Sequence, residues 1–91
     1  MSDSLLEEII AYCKGELPEL VDSPVRRALS ARLGVLERAT WALAVQPATQ
    51  MQVVGLAKLL LDLRDEVTDA RRRQLDAAAQ LTRASGARSL L

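Results

Sequence analysis

Few side chains in this sequence are equipped for chemistry. They are one cysteine, Cys13, an arginine run, Arg71-Arg72-Arg73, and adjacent carboxylates such as Asp65 and Glu66. Cys13 could attack an electrophile only as a thiolate, which needs an accessible, cationic setting. At helical spacing it shares a stripe with Leu5 and Ile9, with Leu6 and Ile10 beside it. That pattern reads as a small buried hydrophobe. Asp65 and Glu66 are sequence neighbours, so on a helix they diverge and cannot work as an acid–base pair. The sequence has no histidine, which removes the commonest general base and metal ligand near neutral pH. The Glu-x-x-His pairs of a di-iron bundle are absent with it, and no glycine-rich phosphate loop occurs. The reading is of a protein that is not an enzyme, with no catalytic, cofactor-binding or metal-binding residues.

The arginine run could instead meet phosphate. Three consecutive residues fan over about 200° of a helix, so they do not make one patch. Asp69 with Arg73, and Arg72 with Asp76, are spaced for ion pairs four residues apart. A solvated, internally paired face is therefore the plainer reading. Dimerisation could still gather Arg26, Arg27 and Arg32 from two copies. A dimeric nucleic-acid-binding module using those three and Arg71–Arg73 stands as the alternative function. A small-ligand site, with Tyr12 stacking on a base while Arg26 or Arg27 holds a phosphate, has only composition behind it. A packed or half-exposed tyrosine is the plainer reading there too.

These residues are positioned by the longest uninterrupted stretch, Pro47 to Arg83, which contains one glycine and no proline after its first residue. As a helix it would run about 55 Å. Val53, Leu56, Leu60, Leu63 and Val67 alternate three and four apart, a heptad seam. Val54, Ala57 and Leu61 form a second stripe, and Leu59 closes the gap between them. A helix apolar on several faces is covered on several faces. One hairpin neighbour is too few, so Val53, Leu56, Leu60, Leu61, Leu63 and Val67 are expected to form an oligomer interface. Further along, the apolar positions thin to Ala70, Leu75, Ala78 and Leu81. Gln74 falls on the seam, and a helical repeat drifting past it would hand the seam to Leu75.

The rest of the chain supplies the neighbours. Ser4-Leu5-Leu6-Glu7 matches a capping box and Lys14-Gly15 looks like a helix end, giving a first helix over 5–14. Leu17, Leu20 and Val21 are too apolar for a free linker, so the segment up to Ser23 should pack on the bundle. Ser23-Pro24 is a start signal for a second helix over 24–45, with the stripe Leu29, Leu33, Leu36, Thr40 and Leu43. Gly34 lies in the middle of that helix, where it could mark a tight crossing. Pro47 ends the second helix, and Thr49 with Gln52 makes another capping box. A turn this short forces an antiparallel hairpin with a third helix over 48–83. Trp41 falls beside the main stripe. There it either packs on the first helix or lies in an interface, where tryptophan is enriched, and with Arg38 and Tyr12 it marks a candidate partner surface.

Residues 46–58, with Gln46-Pro47-Ala48-Thr49, Met51, Val54 and Lys58, resemble a P-A-T…K pattern of small helical proteins from bacterial prophages. The lysine comes one place late, and the glycine usual near the helix start is displaced to Gly55. The resemblance implies a helical hairpin and a phage origin, and it transfers no functional residues.

Formal charge is zero but unevenly spread: residues 1–22 carry −5, residues 23–45 carry +3 and residues 46–91 carry +2. Acidic and basic segments favour antiparallel contact, at modest energy if exposed. One cysteine excludes an intrachain disulfide. No apolar run reaches the ~20 residues of a membrane span, and the acidic start lacks a signal-peptide pattern, so a cytoplasmic location is expected. The expected architecture is all-α: a short helix, then a long hairpin, in one domain over 1–84 with a flexible tail at 85–91. The expected function is a homodimeric protein–protein interaction module of the phage-modulator or assembly-factor kind. Its partners would be itself and another protein, without membrane or metal.

Overall fold

A computed structural model describes the backbone of residues 2–89 and the side chains of residues 5–84. The fold is three α-helices: α1 Ser2–Glu16, α2 Pro24–Val45 and α3 Gln50–Ser89. A single 3-10 turn, Leu17–Glu19, follows α1. No strand occurs among the described residues.

Local chemistry sets most of the boundaries. The Ser23 hydroxyl accepts the Arg26 N–H at 3.2 Å, and Pro24 fills the first helical position, where an N–H would go unused. At the far end of α2, Gln46 turns extended and Pro47 cannot continue the helix. The Thr49–Gln52 box is reciprocal: Gln52 N–H donates to Thr49 Oγ1 at 3.2 Å, and Thr49 N–H to Gln52 Oε1 at 2.9 Å. It starts α3 at Gln50 rather than at residue 48. The expected box at Ser4 and Glu7 falls partly outside the described side chains.

Two expected stops fail, the first of them at a glycine. α1 does not end at Lys14; it passes through Gly15 to Glu16 and tightens into the 3-10 turn where Pro18 removes a donor. α3 continues past Arg83 and through Gly86 to Ser89. No glycine among the described residues adopts the left-handed conformation by which glycine ends a helix. The tail expected from residue 85 is thus helical to Ser89, and residues 90 and 91 lie outside the described part.

Cross-helix contacts fix the packing. Tyr12 bonds Thr68, Glu16 pairs with Arg71, and the segment after α1 bonds Gln74. The two sequences advance together, so α1 runs parallel to α3. Arg32 of α2 pairs with Glu66, and Lys14 with Glu37; the short turn at 46–49 reverses α2 onto α3, so α2 is antiparallel to α3 and hence to α1. The core gathers Leu6, Ile9, Ile10 and Cys13 of α1, Leu17 and Leu20 after it, Leu29, Leu33 and Leu36 of α2, and Leu56, Leu60, Leu63 and Val67 of α3. Leu17 and Leu20 are buried, as expected of an apolar linker, while Val21 points out. The bundle stops level with Gln74, and every residue from Leu75 to Ala84 is exposed. That overhang makes the molecule a rod of 66 × 22 × 16 Å.

Candidate interaction surfaces

The residues expected to bind a second copy are mostly spent inside the chain. Leu60, Leu63 and Val67 are 0% exposed and Leu56 is 7% exposed, all covered by α1 and α2. Val53 and Leu61 are half-buried, and Leu61 packs against the same core. The oligomer interface expected on Val53, Leu56, Leu60, Leu61, Leu63 and Val67 therefore needs correcting. The physical reason is the course of α1. It lies beside α2 over the same stretch of α3, so two neighbours share the apolar half of the long helix. Of the second stripe only Val54, with Leu59 beside it, stays exposed.

Gln74 corrects a second expectation. The seam does not pass to Leu75, which is 53% exposed. Gln74 stays on the inner face, half-buried, and bonds the segment after α1. Its Nε2 donates to the Glu19 carbonyl at 2.8 Å, and its Oε1 accepts the Val21 N–H at 2.7 Å. A side-chain amide offers a donor and an acceptor together, which a non-helical backbone turn requires.

Cys13 is fully buried. Burial pushes its thiol above the ordinary value, and the Arg64 charge opposes this only in part. That is the reverse of an activated thiol.

The arginines are largely committed within the chain. Arg32 pairs with Glu66, Arg71 with Glu16 at 3.5 Å and Arg73 with Asp69 at 2.8 Å. Arg27 lies 3.4 Å from Asp22, and Arg26 donates to the Leu20 carbonyl at 3.1 Å. The Asp69–Arg73 pair was anticipated; Arg72 and Asp76 form no pair within 4.0 Å. Tyr12 and Arg26 have separate partners, Thr68 Oγ1 at 2.8 Å and the Leu20 carbonyl, so the suggested stacking site does not assemble.

No protein-family model, curated protein or solved structure matches this chain. The surfaces are therefore judged on their own chemistry. One groove runs between α1 and α2 near the hairpin turn. Ile10 and Ala11 form one wall, and Trp41, Ala44 and Val45 the other. Glu7, Lys14 and Glu37 also border it, and the Lys14–Glu37 ion pair bridges the two helices. Trp41 is 71% exposed there. Of the three residues expected at a partner surface, it alone lines this groove. Arg38 turns back to the Gly34 carbonyl at 3.2 Å, and Tyr12 faces α3. The α1 side of the groove carried no signal in the sequence, because Ile10 and Ala11 look like any core stripe. A second, smaller apolar groove between α2 and α3 is lined by Ala31, Val35, Leu36 and Leu59.

Among the described residues, no helix is long and apolar enough to cross a membrane.

Proposed function

We propose that this chain is a small non-enzymatic protein-interaction module that binds another protein through the groove between α1 and α2. One observation carries the reading: the only tryptophan, Trp41, stands 71% exposed beside Ala44, Val45 and Ile10. Burying an exposed indole of this size contributes strongly to binding, and tryptophan is enriched among the residues that dominate interface energies. An apolar channel between two helices, rimmed by Glu7, Lys14 and Glu37, fits the apolar face of an amphipathic helix. The resemblance at residues 46–58 suggests a phage setting for that partner.

The single tryptophan supplies its own probe. Partner binding should blue-shift Trp41 fluorescence, and Trp41→Ala should abolish capture of that partner while leaving circular dichroism unchanged. Capture that survives both Trp41→Ala and Val45→Asp would sink the reading. Binding by an arginine surface finds no comparable support, since Arg32, Arg71 and Arg73 already hold carboxylates. Where counterion release drives binding, affinity would fall steeply with salt; binding through the Trp41 groove should be nearly salt-independent.

A further inference from the structure

We propose that the occupant of the groove between α1 and α2 is a basic amphipathic helix, with its apolar face on Trp41 and a lysine or arginine flank along α1. This rests on the reading of that groove as a protein-binding site and adds the chemistry of the partner. The groove sets the partner's length. The Lys14–Glu37 ion pair ties the two helices together at one end. From that pair to Glu7, α1 rises about 10 Å, or two turns. A helix of two to three turns fits, with apolar residues at i, i+3 or i+4, and i+7.

Charge says what must flank that apolar face. The α1 wall carries Glu7, and Glu8 stands exposed one residue further round the helix. Neither carboxylate forms an ion pair among the described residues. The opposite wall supplies no countercharge, because the chain from Ala39 to Ala57 holds no charged residue. Residues 1–13 contain no lysine or arginine either. The bases nearby are engaged or remote. Lys14 is held by Glu37, and Arg38 turns back to the Gly34 carbonyl, away from the hairpin turn. Lys58 lies about 200° round α3 from the buried Leu56, on the back of the bundle. Glu7 and Glu8 therefore meet an occupant uncompensated, and their field favours cations beside the apolar channel. Rim charges of this kind choose the partner more than they hold it. The same carboxylates repel phosphate, so a nucleic acid is the wrong occupant.

The probes are two capped peptides of about fifteen residues, long enough to form a helix on binding. One carries leucine and alanine on one helical face and lysine along the flanks; the other has glutamate in place of each lysine. Neither contains tryptophan, so Trp41, the single tryptophan of the chain, reports seating by a blue shift. Calorimetry gives the Kd. The lysine peptide should bind about tenfold tighter than the glutamate peptide. Glu7→Gln with Glu8→Gln should weaken it about three- to tenfold. Glu7→Lys with Glu8→Lys should reverse the preference. Asp62→Asn with Asp65→Asn, exposed on α3 outside the groove, should change nothing. Equal affinity for the two peptides, or a preference that charge reversal leaves intact, would overturn the proposal. So would a lysine peptide that binds Trp41→Ala as tightly as the natural chain, or a Trp41 signal that neither peptide moves. The reading of the groove itself fails by a separate result, capture of the natural partner that survives both Trp41→Ala and Val45→Asp.

Discussion

Gly34 shows how one residue type can mislead in a helix. It lies mid-helix in α2, where a tight crossing would explain it. A methyl group added there meets nothing within 4 Å, so no neighbour requires the glycine. Gly34→Ala should therefore stabilise the chain by about 1 kcal/mol, through a less flexible unfolded state and better helix propensity. The melting temperature should rise about 4–8 °C; a fall would mean that an unseen approach to Gly34 exists. Cys13 makes the second case. Its thiol ordinarily titrates near 9.0, and burial raises that value in the folded state. Below its unfolded pKa the thiol is neutral in both states, and its contribution is fully present. As pH climbs from there through the raised folded value, the unfolded chain gives up its proton first and that contribution is lost. Stability should thus fall more steeply above pH 9 in the natural chain than in Cys13→Val, measured by urea denaturation across the alkaline range. Equal slopes would remove the argument. Thiol reagents should also react with Cys13 no faster than the chain opens.

At the scale of elements, periodicity was a good guide to existence and a poor one to endings. The α2 stripe at Leu29, Leu33 and Leu36 and the α3 seam at Leu56, Leu60, Leu63 and Val67 are buried as their spacing demands. The 24–45 boundaries hold because Ser23, Pro24 and Pro47 act through their own backbone chemistry. Gly15 and Gly86 do not end their helices, since glycine permits a left-handed cap without imposing one. Which element covers which face is not set by periodicity: the apolar faces of α3 demand two neighbours, and the length of a hairpin says nothing of where α1 lies. Its placement depends on long-range contacts such as Glu16–Arg71 and the Gln74 bonds. Gln74 itself looked like a flaw in the seam and serves as a clamp on the linker. Gln74→Ala should leave the Val21 N–H and the Glu19 carbonyl without their partner. The segment is largely exposed and water can replace much of the loss, so the cost should be about 1 kcal/mol. Hydrogen exchange reports it directly: the Val21 amide should lose protection while the amides of Leu60 and Leu63 keep theirs. Unchanged protection at Val21 would argue against the clamp.

The whole molecule divides into a bundle that closes its own core and an overhang whose residues from Leu75 to Ala84 are all exposed. This division was not legible from the sequence, because the apolar positions of α3 thin gradually beyond Val67 and Gln74 alone does not mark where α1 and α2 run out. The candidate site was legible only in part. Trp41 was singled out by residue type, whereas the wall opposite it depends on the pairing of α1 with α2. The division makes a strong prediction about length. Ending the chain after Asp76 keeps Gln74 and its bonds to Glu19 and Val21, and keeps every residue of the buried core. It removes the exposed residues from Ala77 to Ala84 and all that follow. Surface residues without such contacts usually contribute within about 0.5 kcal/mol. At low micromolar concentration the shortened chain should therefore melt within about 2–4 °C of the full one, with a loss of helical signal matching the missing segment. A shortened chain that fails to fold would mean that the overhang supports the bundle.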